Sequence, residues 1–236
     1  MRPRAPLALM FMTSQSPPPE TAPFSNRSAA GARLGELVRE LELPQPLLVL
    51  ALPRGGVPVA VGVAAALDAP LDVLVVRKIG MPGEPELAVG AIAPGGTVVR
   101  ESRGAGRFAP DRATFAALER RERMELERRE RTYRAGLPPL DLKDHAVVLV
   151  DDGLATGATM LAAVRAARAG GATSVTVAAP VASQEAAARV RAEADHLAIL
   201  RMPPMLFAIA EWYADFHQLT DMEVMQLLHA ARSPRT

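Results

Sequence analysis

Two carboxylates stand side by side at Asp151-Asp152, directly after the apolar run Val147-Val148-Leu149-Val150. Gly153-Leu154 follows, and then a loop of small residues, Ala155-Thr156-Gly157-Ala158-Thr159. Such a loop lets backbone N–H groups close around a phosphate. The Thr156 and Thr159 hydroxyls add donors, and the positive end of the helix that follows favours the same anion. Adjacent carboxylates accept hydrogen bonds from vicinal hydroxyls and suit a Mg²⁺ ion nearby. Phosphate at one end and diol at the other describe a ribose 5-phosphate. The loop lacks the Lys of a Walker A motif and the glycine spacing of a dinucleotide-binding turn.

A second set of residues carries positive charge. In Pro53-Arg54-Gly55-Gly56 the glycines let the backbone approach a ligand closely, and Arg54 offers a planar fork for phosphate oxygens. Arg77-Lys78 follows the next apolar run and adds two more cations, Lys78 as a point charge. Pyrophosphate needs such company. Taken alone, an Arg-Gly-Gly turn reads first as an ordinary strand-to-helix connection.

Both sets must be held by regular elements. Leu47–Ala51, Leu71–Val76, Ala146–Val150, Ser174–Ala179 and Leu197–Leu200 are short apolar runs of the kind buried on both faces of a sheet. Helices are predicted between them: from the Gly55-Gly56 turn to about Leu67 with Pro58 in its first turn, from the small-residue loop to Ala169 before Gly170-Gly171, and over Ser183–Ala194. This alternation specifies an α/β fold, a twisted parallel sheet with helices on both faces, plus a small hood or loop region. A further helix carries Leu34, Leu37, Val38 and Leu41, with Ser25 as its expected cap.

Residues 80–106 are rich in Gly and Pro and read as a hairpin or long mobile loop, with weak strand signals at Val89–Ala93 and Thr97–Arg100. From Pro110 to Tyr133 the chain is charged and helical. Glu119/Arg123, Glu125/Arg129, Glu127/Arg131 and Glu130/Arg134 stand at i,i+4, while Phe115, Leu118, Leu126 and Tyr133 form one narrow apolar stripe. The tail over residues 203–230 holds Trp212, Tyr213 and Phe216 and ends in a helix near Asp221–His229. The three aromatics read either as packed core or as a stacking surface for a base.

Composition narrows the function. The formal charge is +1 and acids offset the arginines of the charged helix, so no nucleic-acid surface is expected. With no cysteine, disulfides and thiolate chemistry are excluded, and a reducing cytoplasm is the expected location. The four histidines show no metal-ligand spacing. No apolar run approaches the roughly 20 residues that span a bilayer. Residues 1–24, with Leu7–Met12 apolar and Ser14–Pro19 polar and Pro-rich, are expected to be a disordered leader or to precede a true start at Met12. Residues 25–236 then form one domain, with its core at about 47–200.

At these motifs the chain resembles the type I phosphoribosyltransferases. Val147 to Thr159 is similar to their signature for 5-phosphoribosyl-1-pyrophosphate (PRPP), and Val150 to Gly157 looks most like the adenine-type members. Gly153 departs from the pattern, since an apolar side chain is usual there. The resemblance implies displacement of pyrophosphate from Mg²⁺-bound PRPP by a nitrogenous base through an oxocarbenium-like transition state. It assigns Asp151 and Asp152 to the ribose hydroxyls and the metal, and Ala155, Thr156, Gly157, Ala158 and Thr159 to the 5-phosphate. Arg54, Gly55, Gly56 and Arg77 or Lys78 are assigned to the pyrophosphate. A role in nucleotide salvage and a homodimer are also implied.

Members that use 6-oxopurines carry a carboxylate where this chain has Ala155, so hypoxanthine and guanine are disfavoured acceptors. A general acid or base would come from elsewhere, with Glu84, Glu86 and Glu101 as candidates. Other readings are a non-catalytic PRPP- or nucleotide-binding regulator, and a hydrolase or phosphorylase acting on a phosphoribosyl compound.

Overall fold

The computed structural model describes residues 9–10, 22–81, 84–100 and 110–232. Its elements in chain order are β1 (Leu9–Met10), α1 (Arg27–Arg39), β2 (Leu47–Ala51), α2 (Gly56–Leu67), β3 (Leu71–Val73), β4 (Arg77–Met81), β5 (Glu84–Ile92) and β6 (Val98–Arg100). Then come α3 (Arg112–Tyr133), β7 (Ala146–Val150), α4 (Ala158–Ala169), β8 (Ser174–Val181), α5 (Gln184–Arg191), β9 (His196–Arg201) and α6 (Asp221–Arg232).

The main sheet is parallel, in the order β1-β9-β8-β7-β2-β3. Period-two alternation sends successive residues to opposite faces. On one face Leu48, Leu50, Val147 and Leu149 pack with Met160, Val164 and Val190 of α4 and α5. On the other, Leu47, Val49, Ala51, Val148 and Val150 pack with Leu34, Val38, Val59 and Val63 of α1 and α2, and with Val224 and Leu228 of α6. Strands covered on both sides are dominated by apolar residues, and β2 and β7 are unbroken apolar runs, while β8 buries a single polar residue, Thr176, among its apolar ones.

The order of the strands creates the site. From β2 the chain crosses through α2 to β3 on one side, and from β7 it crosses through α4 to β8 on the other. Adjacent strands whose connections depart in opposite directions leave a crevice at their carboxyl ends. That crevice lies between β2 and β7, where Ala51 pairs with Val150.

Three expectations change. The strand expected over Leu71–Val76 ends at Val73, because β2, its neighbour among the described residues, ends at Ala51 before the Pro53 turn; Leu74 N–H takes the last ladder bond, to the Ala51 carbonyl. Arg77-Lys78 therefore open β4 of a second sheet instead of closing a core strand. That sheet, β4-β5-β6, is antiparallel and gives the Gly- and Pro-rich region the hairpin form of the two anticipated. Its Ile79 and Val89 pack on Phe115, so the stripe of α3 covers this sheet at one end and the main core, through Leu126 and Tyr133, at the other. Finally, Asn26 rather than Ser25 caps α1, its side chain accepting from Ala29 N–H.

Within the stretch expected to stand outside the fold, Leu9-Met10 runs parallel to β9 and supplies backbone partners to its outer edge. At its other end Phe24 is buried and bridges to Tyr213, so it too belongs to the fold; residues 1–8 and 11–21 of that leader lie outside the described residues. Two of the anticipated helix pairs are present as hydrogen-bonded ion pairs, Arg123–Glu119 and Arg129–Glu125. Arg134 turns instead to Asp72 of β3, where Arg232 of α6 joins it. No helix among the described residues is long and apolar enough to cross a membrane.

Candidate active site

The loop after β2 and the loop after β7 meet. A Cβ on Gly55 would lie 2.0 Å from Asp152 Oδ2, and one on Gly56 would lie 2.6 Å from the Val150 carbonyl oxygen and 3.0 Å from Asp151 Cα. Only glycine permits this contact, so the Arg-Gly-Gly turn is fitted to the acid pair. Each loop also opens a helix without a side-chain cap: Gly55 precedes α2 and Gly157 precedes α4. Gly157 has a φ of 75°, a left-handed conformation that turns the loop into α4. In α2 the Gly56 and Val57 N–H groups donate to the Leu52 and Arg54 carbonyls, at 3.1 and 3.2 Å, and Pro58 has none; in α4 the Ala158 N–H reaches Thr156 Oγ1 at 3.4 Å.

The small-residue loop is held from below. Ser183 Oγ donates to the Ala155 carbonyl and Arg189 Nη1 to the Thr156 carbonyl, at 2.7 and 2.9 Å. Leu154 is buried and bridges to Ala182. Its carbonyls are thus tied to α5 and to the cap of that helix, which fixes the loop ahead of α4.

The acid pair is electrostatically strained. Burial and the neighbouring Asp152 charge push the Asp151 carboxyl well above the usual range, against the pull of the Asp152 N–H and of Arg27. Burial also raises Asp152, with Arg27 opposing through its charge and hydrogen bond. Two buried carboxylates at one strand end favour a bound cation or hydroxyl donors.

Arg54 extends from the first loop with Nη1 4.0 Å from Asp221 Oδ1 at the start of α6. The same carboxylate accepts from the Tyr133 hydroxyl at 2.5 Å. Burial and this partner raise the Tyr133 phenol to about 12. Arg77 is engaged elsewhere: its Nε and Nη2 both donate to Glu122 of α3, at 2.9 and 2.6 Å. Lys78 lies beside it on β4, opposite Ala91. The structure thus brings together Asp151, Asp152, Gly55 and Gly56, sets Arg54 on the same turn, and commits Arg77 to the hood.

A model of the phosphoribosyl transferase domain matches residues 29–199, from α1 to β9. The chain belongs to the phosphoribosyltransferase family, type I. It is 43% identical over 208 residues to Mycobacterium tuberculosis proteins carrying a provisional phosphoribosyl transferase name, covering 88% of this chain and 47% of theirs. It therefore spans about half the length of those relatives. The crystal structure of TT1426 from Thermus thermophilus is 41% identical, with a TM-score of 0.78, and covers 89% of this chain and all of that one.

One departure of this chain from the pattern its motifs resemble has a physical explanation. A Cβ on Gly153 would lie 2.5 Å from Ile209 Cδ1 and 2.6 Å from its Cγ2. Ile209, in the 3₁₀ turn Ile209–Trp212, fills the space that a side chain at position 153 would take. Gly153→Ala is expected to destabilise the protein by about 1–3 kcal/mol, the usual cost of overpacking, and Ile209→Ala in the same chain to recover much of it. Urea denaturation of the two single variants and the double variant checks the coupling; additive losses would refute it.

Arg27 escaped the sequence reading. Its Nε donates to Asp152 Oδ2 at 2.8 Å and its Nη1 to the His217 carbonyl at 2.8 Å. A lone arginine in a polar stretch gives no sign of burial. Tyr213 is tied to the same residue, its hydroxyl donating to the Asp152 carbonyl at 2.6 Å. Of the three tail aromatics, Tyr213 is buried beside Phe24 and Phe216, so it belongs to the packed alternative. Glu84 and Glu86 fall on β5, and Glu101 lies outside the described residues.

Proposed function

We propose that this chain transfers the 5-phosphoribosyl group of PRPP to a small nitrogen nucleophile, releasing pyrophosphate. The observation that supports this most directly is the contact of Gly55-Gly56 with Asp151-Asp152 at the sheet's switch point. It sets a pyrophosphate-type loop and a ribose 5-phosphate-type loop against each other, as a ligand phosphorylated at both ends of a pentose requires.

Ala155 to Thr159 receive the 5-phosphate through backbone N–H groups at the start of α4 and through the Thr156 and Thr159 hydroxyls. Asp151 and Asp152 accept hydrogen bonds from the ribose hydroxyls. Arg54, Lys78 and the amide of Gly55 hold the pyrophosphate and stabilise the charge it gains as the C1–O bond breaks, while Gly56, whose N–H is on the Leu52 carbonyl, lets the turn pass close to Val150 and Asp151. The second sheet and α3 form the hood. Arg77 contributes there through Glu122 rather than by direct contact.

The donor set fits Mg²⁺ bound together with substrate. Among the described residues no group of three or more His, Cys, Asp or Glu forms a metal cage, and Asp151 and Asp152 are the carboxylates at hand. Mg²⁺ commonly takes one or two carboxylates and completes its shell with water and substrate phosphates. When bound, it neutralises charge on the pyrophosphate.

Incubation with Mg²⁺, PRPP and a panel of purines, pyrimidines and small heteroaromatic amines should release pyrophosphate with at least one of them. Ala155 predicts that the active partner is not a 6-oxopurine. Absence of release across the panel, with PRPP still bound in calorimetry, would replace catalysis by a regulatory use of the same site. The phosphoribosyl donor, the cytoplasmic location and a homodimeric assembly belong to this same reading.

A further inference from the structure

Arg27 is a buried cation that the family motifs do not involve. Its side chain is 10% exposed and that of Asp152 16%. The guanidinium lies 3.7 Å from the centroid of Phe216 and 5.8 Å from that of Tyr213, with the His217 carbonyl on Nη1. This group is closed off by protein. A buried ion pair contributes little net stability, because desolvation offsets the attraction. Packing alone therefore gives weak reason for it.

The oxygen atoms show what the pair does. Asp151 Oδ1 accepts from Asp152 N–H at 2.9 Å, and Asp152 Oδ2 accepts from Arg27 Nε at 2.8 Å. Hydrogen bonds among the described residues thus use one oxygen of each carboxylate. Asp151 Oδ2 and Asp152 Oδ1 take no hydrogen bond among the described residues and give two acceptors, the number that two vicinal hydroxyls need. Gly55 lies against the same Oδ2 of Asp152, so that oxygen is held by Arg27 with the turn's backbone beside it.

The clamp has its own scaffold. Phe24 and Tyr213 form a parallel bridge, with Phe24 N–H on the Trp212 carbonyl at 2.8 Å and Ala214 N–H on the Phe24 carbonyl at 2.7 Å. One short junction thereby sets Arg27 and Tyr213 together, the first on the carboxylate of Asp152 and the second on its carbonyl.

We propose that Arg27, seated on the Phe24–Tyr213 junction, is a positioning residue for Asp152 that presents one oxygen of each carboxylate to the ribose hydroxyls without touching the substrate. This rests on the PRPP site proposed above.

The test is calorimetry on the full chain with Mg²⁺-PRPP and, separately, Mg²⁺-pyrophosphate, alongside thermal melting. Pyrophosphate uses the Arg54 loop but has no ribose. Arg27→Gln should weaken PRPP roughly 10- to 100-fold, the loss expected for a charge-assisted hydrogen bond, and leave pyrophosphate within about twofold. Arg27→Lys, which keeps the charge but not the fork, should fall between Gln and wild type. Tyr213→Phe removes only the hydroxyl and should weaken PRPP by roughly 3- to 10-fold.

Wild-type PRPP affinity in folded Arg27→Gln overturns the inference. So does an equal loss for PRPP and pyrophosphate, which is general loosening. If Arg27→Gln does not fold, Tyr213→Phe decides, and unchanged PRPP affinity there overturns it. A wild-type protein that binds pyrophosphate but not PRPP refutes the underlying site reading instead.

Discussion

Asp151→Asn is expected to weaken PRPP binding on the order of 100-fold and, in the same protein, to raise the melting temperature. The Asp151 carboxyl is held well above the unfolded value of 3.8 by burial and by the Asp152 charge beside it. A carboxyl whose native pKa is raised binds its proton more tightly when folded. At neutral pH the ionised group therefore opposes folding, and that opposition is relieved as pH falls through the native pKa. An amide of the same shape removes it. The gain should be about 0.5–2 kcal/mol, or roughly 2–6 °C for a chain of this size. The gap between variant and wild type should be widest at neutral pH and above, and close on acidification toward about pH 4. Melting curves across pH check this, and a variant that melts below wild type at about pH 7 would refute it. Adding Asp152→Asn should abolish PRPP use while the fold persists. It also strands the buried Arg27, at a cost of about 3–5 kcal/mol, so the double variant should melt below Asp151→Asn alone.

Gly55→Ala should fail in the opposite way. Its Cβ would fall 2.0 Å from Asp152 Oδ2 and 2.6 Å from Cγ, distances no real side chain tolerates. The carboxylate must swing away, and the Arg27 bond at 2.8 Å breaks with it. Overpacking and an uncompensated guanidinium together should cost about 3–5 kcal/mol, with PRPP affinity reduced by on the order of 100-fold. Asp152→Ala in the Gly55→Ala chain should restore part of the stability but none of the binding. Calorimetry with PRPP and denaturant titrations distinguish the two effects. Wild-type binding in Gly55→Ala would show that the two loops do not touch in solution.

The parallel core was legible because strands covered on both faces leave a simple trace, such as Leu47–Ala51 and Ala146–Val150. The small-residue loop and the acid pair were legible for a related reason, since packing alone does not call for Asp-Asp at the end of a buried strand. Where the reading went astray, a neighbour decided. Leu74, Val75 and Val76 are as apolar as the strand before them, yet they leave the ladder because β2 has ended. Arg77 looks like a ligand for phosphate but finds Glu122 across the hood, 45 residues away. Gly153 is understood only once Ile209 is seen against it. Arg27 was invisible because its importance depends on Asp152, 125 residues away, and on an aromatic lid from the tail. Periodicity reports what an element faces; it does not report which distant side chain arrives there.

The Phe24–Tyr213 junction also governs when the site can come into being. Residues 24–27 must meet residues 213–217, and the Arg27–His217 bond spans 190 positions of the chain. Closing so long a loop is entropically expensive and tends to come late in folding. During synthesis, the loops after β2 and β7 emerge from the ribosome well before the segment that fastens the acid pair. The nascent protein should thus possess both loops before the Asp152 carboxylate is aimed, and on the reading proposed above acquire competence for the pentose last.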